Sequence, residues 1–179
     1  MKKIFLLFVA VAGLITFQSC EGPQGPPGPP GGGGGSNEVA VYEVEANLNR
    51  NNNYEATFGF KPALLDADLV LVYRLDGVDN KIDVWRMLPQ TYYIGSNEID
   101  YNFDYTKLDF RVFLESTSTN PDAIDNGYWT NNQVFRAIVI EGYFGDTKRT
   151  ASLTDETRLD YESIVKKYNI KESDVIRLN

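Results

Sequence analysis

The sequence predicts a mainly-β protein: an antiparallel β-sandwich of immunoglobulin-like architecture with one C-terminal α-helix, preceded by a disordered Gly/Pro linker. Three observations carry that expectation. The 179 residues include 11 Tyr and 10 Phe but only 2 Met, a usage that suits pleated, half-buried strands. Apolar and polar residues alternate in several short runs, the period-two pattern of a strand with one buried face. Asn, Asp, Gly and Pro punctuate those runs as turn formers, and a single stretch near the C-terminus has helical spacing instead. Beyond its leader the chain has room for one domain of roughly 140 residues, enough for a sizeable core.

The chain divides into residues 1–19, 20–36 and 37–179. Lys2 and Lys3 open the first part, an apolar run over residues 4–17 follows, and small or polar residues precede Cys20. This is the grammar of a signal peptide, and the apolar run is short of the ~20 residues that span a bilayer as a helix. From Gly22 to Gly34 glycine falls on every third position, with Pro or Gln between as far as Pro30. The pattern is that of collagen, in which only glycine fits the crowded axis of three chains. So few proline-bearing triplets should not hold a trimer together alone, and a polyproline II spacer is expected: at ~3.1 Å per residue, residues 21–31 extend about 30 Å. The glycines that follow, with Ser36, add a swivel.

The body begins with two alternating runs: Ala40, Tyr42, Val44, Ala46 and Leu48, then Tyr54, Ala56, Phe58 and Phe60. An Asn-rich turn over residues 49–53 separates them, so they are expected to form a hairpin that Lys61-Pro62 ends. Residues 68–75 are densely apolar and residues 82–88 form a further strand. Asp76-Gly77 with Asp79-Asn80 reads as the turn between them. As a calcium loop, Asp76, Asp79 and Asp83 lack EF-hand spacing. Ile99, Tyr101, Phe103 and Tyr105 then alternate against acids and Asn102, and Leu108, Phe110, Val112 and Leu114 do the same against Asp109, Arg111 and Glu115. These are two consecutive strands.

Residues 116–132 are polar and turn-rich, a long loop of the kind that carries binding residues. Tyr128 and Trp129 at its end form a possible contact pair, or fold back on the sandwich edge. Residues 134–141 are nearly continuously apolar, as a central strand covered on both faces should be, and Arg136 within them needs a carboxylate or carbonyls nearby. In the helical stretch Thr154 is placed to cap, with Asp155 and Glu156 at the positive end and Lys166 and Lys167 at the negative end. Tyr161, Ile164, Val165 and Tyr168 form its apolar stripe, Asn169 ends it, and residues 175–178 add a last short strand.

Composition excludes several function classes. The chain has no histidine and one cysteine, so it holds no intrachain disulfide, no His/Cys zinc set, no Ser-His-Asp triad and no Cys-His pair. No catalytic residue, metal or cofactor is expected. The formal charge of −8, more negative once Lys2 and Lys3 leave with the leader, repels nucleic acid and anionic lipid surfaces alike.

Phe17-Gln18-Ser19-Cys20 resembles a lipobox, the motif at which bacterial lipoproteins are cleaved before a cysteine that becomes diacylglyceryl-modified and N-acylated. The resemblance implies that Cys20 is the mature N-terminus and the lipidation site. Together with Glu21-Gly22-Pro23-Gln24-Gly25-Pro26-Pro27-Gly28, and more loosely Leu88-Pro89-Gln90-Thr91 and Tyr101-Asn102-Phe103-Asp104-Tyr105, the chain resembles small Bacteroidota envelope lipoproteins that carry a collagen-like Gly-Pro stub before one β-rich domain. That resemblance implies an outer-membrane location, facing the periplasm or the surface, and brings no activity with it. The expected function is a non-enzymatic binding, adhesion or scaffold module, held to the membrane by acyl chains on Cys20, acting on a protein or glycan partner and monomeric. The alternatives are a structural trimer nucleated by the stub and a carboxylate-based glycan hydrolase, whose two acids would stand ~5–10 Å apart.

Overall fold

The computed structural model describes residues 39–142 and 159–178, all within one compact unit, Ser36–Asn179. The leader, Cys20, the Gly/Pro tract, Thr154, Asp155 and Glu156 lie outside the described residues.

The described chain is mainly β, with two sheets and one C-terminal α-helix. Nine strands run in the order β1 (Val39–Ala46), β2 (Glu55–Gly59), β3 (Leu69–Asp79), β4 (Ile82–Met87), β5 (Gln90–Ile94), β6 (Asn97–Tyr105), β7 (Asp109–Ser116), β8 (Gln133–Ile140) and β9 (Val175–Leu178), with helix α1 (Tyr161–Tyr168) before the last. One sheet has the order β4-β3-β8-β1-β9 and the other β2-β7-β6-β5. All pairs are antiparallel except β1 with β9, which is parallel. Alternation decides which side chains meet between the sheets. Tyr42, Val44 and Ala46 from β1, Val70 and Val72 from β3, and Phe135, Ala137 and Val139 from β8 pack with Ile99, Tyr101, Phe110, Val112 and Leu114 from the second sheet. Aromatic contacts cross the gap, Tyr42 with Phe60 at 5.6 Å and Tyr101 with Phe135 at 6.2 Å between centroids.

The opposite residues of the five-stranded sheet, Val41, Leu71, Tyr73, Ile138 and Ile140, form a second core with Ile164 of α1. That sheet is therefore covered on both faces, and β8, at its centre, is continuously apolar apart from Gln133 and Arg136 for that reason. The helix starts later than Thr154 would place it. Its cap is Asp160, extended in backbone, whose carboxylate accepts from the Ser163 amide at 3.0 Å, and Asn169 ends it in the left-handed conformation (φ 50°).

Three expectations about connectivity are corrected. β1 and β2 are not a hairpin: β1 pairs with β8 and β9, whereas β2 pairs with β7 in the other sheet. Between them a 3-10 turn over Arg50–Asn52, capped by Asn49 with Asn53 left-handed at its end, carries the chain from one sheet to the other. Period-two alternation marks a buried face equally well for a hairpin and for such a crossing. Asp76-Gly77 is not the β3–β4 turn either. The turn is Asn80-Lys81, both with positive φ (48° and 69°), the two-residue form that matches strand twist, while Asp76 and Gly77 sit at a bulge inside β3. Finally, β5 is an edge strand where none was expected. Tyr92 and Tyr93 stand side by side and hide the alternation, yet Tyr92 faces the core and Tyr93 is 78% exposed.

Candidate functional site

Two arginines sit on neighbouring strands of the five-stranded sheet and point to opposite faces, because Tyr73 pairs with Arg136 and Arg74 with Phe135. Each is buried, and each organises one side of the domain.

Arg136 faces the helix. Its Nε donates to Glu43 at 2.8 Å, its Nη2 to both carboxylate oxygens of Glu172 at 2.9 and 2.8 Å, and its Nη1 to the Tyr161 hydroxyl. Its guanidinium lies 4.4 Å from the centroid of the Trp85 ring. Arg177 of β9 closes the set by donating to Glu43 at 3.0 Å and Glu172 at 2.6 Å. Burial works against the Arg136 charge, but these partners outweigh it and raise its pKa further. The carboxylates that a buried arginine requires are supplied, and the set ties β1, β8, β9 and α1 together. Its role is structural.

Arg74 faces the other sheet, at the end of the sandwich where the loop between β7 and β8 returns. Its Nε and Nη2 donate to Gln133 Oε1 at 2.8 and 2.6 Å, and its Nη1 reaches Asp76 Oδ1 and the Tyr92 hydroxyl, both at 3.3 Å. Its guanidinium lies over Tyr101 at 4.5 Å and near Tyr92 and Trp129 at 5.2 and 5.5 Å. A planar, delocalised cation is suited to such an aromatic surround. In register, Arg74 faces Arg86 across β3 and β4, a like-charge pair that would repel. The bulge aims Asp76 between them: it accepts from Arg86 Nε at 2.7 Å and from the Tyr92 hydroxyl at 2.7 Å.

Burial opposes ionisation of Asp76, but the hydrogen bonds from Arg86 and Tyr92 and the charges of Arg86 and Arg74 prevail and hold its carboxyl below the ordinary range. Tyr92 is pushed up to about 12, by burial first and then by its bond to Asp76. The linkage sign follows: a depressed carboxyl contributes stability that is fully present above its unfolded-state pKa and is lost as pH falls through the folded value. Acid titration of the wild type should therefore show a loss of stability below pH ~4 that is shallower in Asp76→Asn, measured as denaturation midpoints from pH ~6 to ~2. Parallel acid limbs in the two proteins would show that Asp76 is not one of the groups responsible.

Gln133 connects this buried cation to the loop. Its amide nitrogen donates to the carbonyls of Tyr128 at 2.8 Å and Asn131 at 2.6 Å, and the Tyr101 hydroxyl donates to the carbonyl of Trp129. Trp129 Nε1 in turn donates to Asp125 at 2.8 Å. The amides of Thr130 and Asn131 bond to the Gly127 carbonyl, and the Thr130 carbonyl accepts from Leu48. Asp125, Asn126, Gly127 and Asn132 all have positive φ, a backbone for which Asn, Asp and Gly are the tolerant residues. At Gly127 (φ 82°) a Cβ would also fall 2.3 Å from the Asn131 side chain. The loop is thus held by buried hydrogen bonds together with the packing of Ile124 and Trp129 on the core.

The possible contact pair separates in the structure. Trp129 packs inward on Tyr92, at 4.9 Å between centroids, while Tyr128 stands edge-on to it at 5.1 Å and remains 57% exposed. Beside Tyr128 lies an open cleft of about 490 Å³, walled by Arg74, Asp76, Asp125, Asn126, Asn131 and Asn132 among others. The sequence reading missed Arg74, Gln133 and Asp76 as members of this site. The available clue was an arginine near the end of an otherwise apolar run, separated from Asp76-Gly77 by Leu75 alone.

No family model, no curated protein and no solved structure matches this chain.

Proposed function

We propose that this chain is an envelope lipoprotein anchored in the outer membrane through acyl chains on Cys20, with the Gly/Pro tract as spacer and the β-sandwich as a non-enzymatic binding module. One observation carries the anchoring: the only cysteine in the chain stands at Phe17-Gln18-Ser19-Cys20, directly after a leader and directly before the Gly-Pro repeat. Without a second cysteine or any histidine, this thiol has no intrachain disulfide, Cys-His pair or His/Cys metal set to join, whereas several acyl chains at ~0.8 kcal/mol per buried methylene make a firm anchor.

A non-catalytic role is supported by the chemistry of the cleft. Carboxylate-based hydrolysis needs one acid that keeps its proton near neutral pH. Asp76 is biased the other way, toward the ionised form, and is engaged by two arginines. What the cleft offers is a fixed surface, with an exposed aromatic ring and amides on a loop braced from beneath. Labelling cells with a palmitate analogue should mark the wild type and not Cys20→Ala. Equal labelling of the two would remove the lipid anchor, and with it this reading.

A further inference from the structure

We infer that the cleft beside Tyr128 is a binding site for a neutral oligosaccharide chain, with the Tyr128 ring as the stacking platform and Asn126, Asn131 and Asn132 as the hydrogen-bonding groups. The inference rests on the reading of the domain as a binding module and names its ligand class.

Charge accounting excludes an anionic ligand first. Arg74, the one cation in the wall of the cleft, directs its donors to Gln133, Asp76 and Tyr92. Asp76 is shared between Arg74 and Arg86, and Asp125 is engaged by Trp129. An incoming phosphate or sulfate would find no uncommitted cation there and would meet the Asp125 carboxylate, whose charge the Trp129 N–H does not neutralise. Uncharged groups are available to a newcomer in number: among the described residues the side-chain amides of Asn126, Asn131 and Asn132 make no hydrogen bond, and all three residues are exposed. Each amide presents a donor and an acceptor together, and a sugar hydroxyl does the same. A row of them suits a polyol better than a peptide, whose extended backbone asks for a strand edge.

The aromatic component is equally particular. Tyr128 is over half exposed although the Trp129 ring stands against its edge and its own carbonyl is tied to Gln133. The ring cannot fold inward, because Trp129 already occupies the space over Tyr92. A rigid amphipathic ring offers contact area at small entropic cost, and the C–H face of a pyranose is a flat apolar partner of similar size. Because the loop is hydrogen-bonded from below before any ligand arrives, little ordering remains to be done on binding.

The test is calorimetric titration of the full chain in detergent with neutral hexasaccharides of glucose, mannose, galactose and N-acetylglucosamine, in α and β linkages. At least one is expected to bind with a dissociation constant of about 0.1–1 mM, the range of an open site of this kind. Tyr128→Ala should weaken that binding at least about tenfold with an unchanged melting temperature. Asn126→Gly and Asn132→Gly, which keep the left-handed backbone while removing the amides, should each weaken it severalfold. The inference is overturned if no hexasaccharide binds at about 10 mM, if Tyr128→Ala binds as well as the wild type, or if a sulfated oligosaccharide binds more tightly with a steep salt dependence. Reducing ends are counted after each titration: cleavage of the sugar would overturn the binding-module reading itself, whereas absence of binding overturns only the ligand class.

Discussion

Replacing Gln133 with leucine should cost about 3–5 kcal/mol of folding stability and loosen the loop that carries Tyr128, although Gln133 itself is only 5% exposed. The leucine fills nearly the same volume, so the loss is one of hydrogen bonds. The Nε and Nη2 of Arg74 lose their only acceptor, and the carbonyls of Tyr128 and Asn131 lose their donor. A buried group left unpaired costs about 1–3 kcal/mol, more when it is charged. Here the charged group is 2% exposed. Gln133→Glu separates the two halves of the effect. It keeps an acceptor for Arg74 but sets a carboxylate against two carbonyl oxygens, so its stability should fall between wild type and leucine while the loop loosens as much. Urea midpoints measure the first quantity, and hydrogen exchange at the Thr130 and Asn131 amides measures the second. A leucine variant within about 1 kcal/mol of wild type, with exchange unchanged, would mean that Gln133 is not the connection between core and loop.

The difference between what the sequence displays and what it hides is visible at these residues. The sheet faces were legible because burial repeats every second residue: Ile99 and Tyr101, then Phe110, Val112 and Leu114, appear in the core where alternation puts them. The central position of β8 was legible because a strand covered twice has no polar face to show. Strand partners were not legible, since the same alternation serves β1 and β2 in one sheet or in two. Neither was the Arg74 site. A buried arginine is recognised by its partners, and those partners, Asp76, Tyr92, Tyr101 and Gln133, come from four strands and meet only after both sheets have formed. Gln133 in particular reads as an ordinary polar residue at a strand start. Tyr128 was legible as a candidate because an aromatic pair in a polar loop stands out. Which of the two rings would face outward depended on Tyr92, in a strand that the adjacent tyrosines concealed.

On the opposite face, Arg136→Met should destabilise by about 3 kcal/mol, a fall in melting temperature of roughly 6–12 °C for a domain of this size. Methionine keeps much of the aliphatic length and the contact with Trp85, so packing changes little. What changes is that Glu43, with a side chain only 17% exposed, loses its nearest cation and keeps only Arg177, whose own side chain is 58% exposed and correspondingly weak as a partner. The cost is that of a stranded carboxylate, which makes it reversible by design. Arg136→Met combined with Glu43→Leu removes the charge and its counter-charge together, while Arg177 and Glu172 still bond to each other at 2.6 Å. Replacing a buried ion pair by apolar residues of similar volume is often neutral, so the double variant should recover most of what the single variant loses. If it melts as low as Arg136→Met alone, the network holds the helix and β9 through geometry that apolar packing cannot replace, and the guanidinium is needed as a five-donor bracket rather than as a charge.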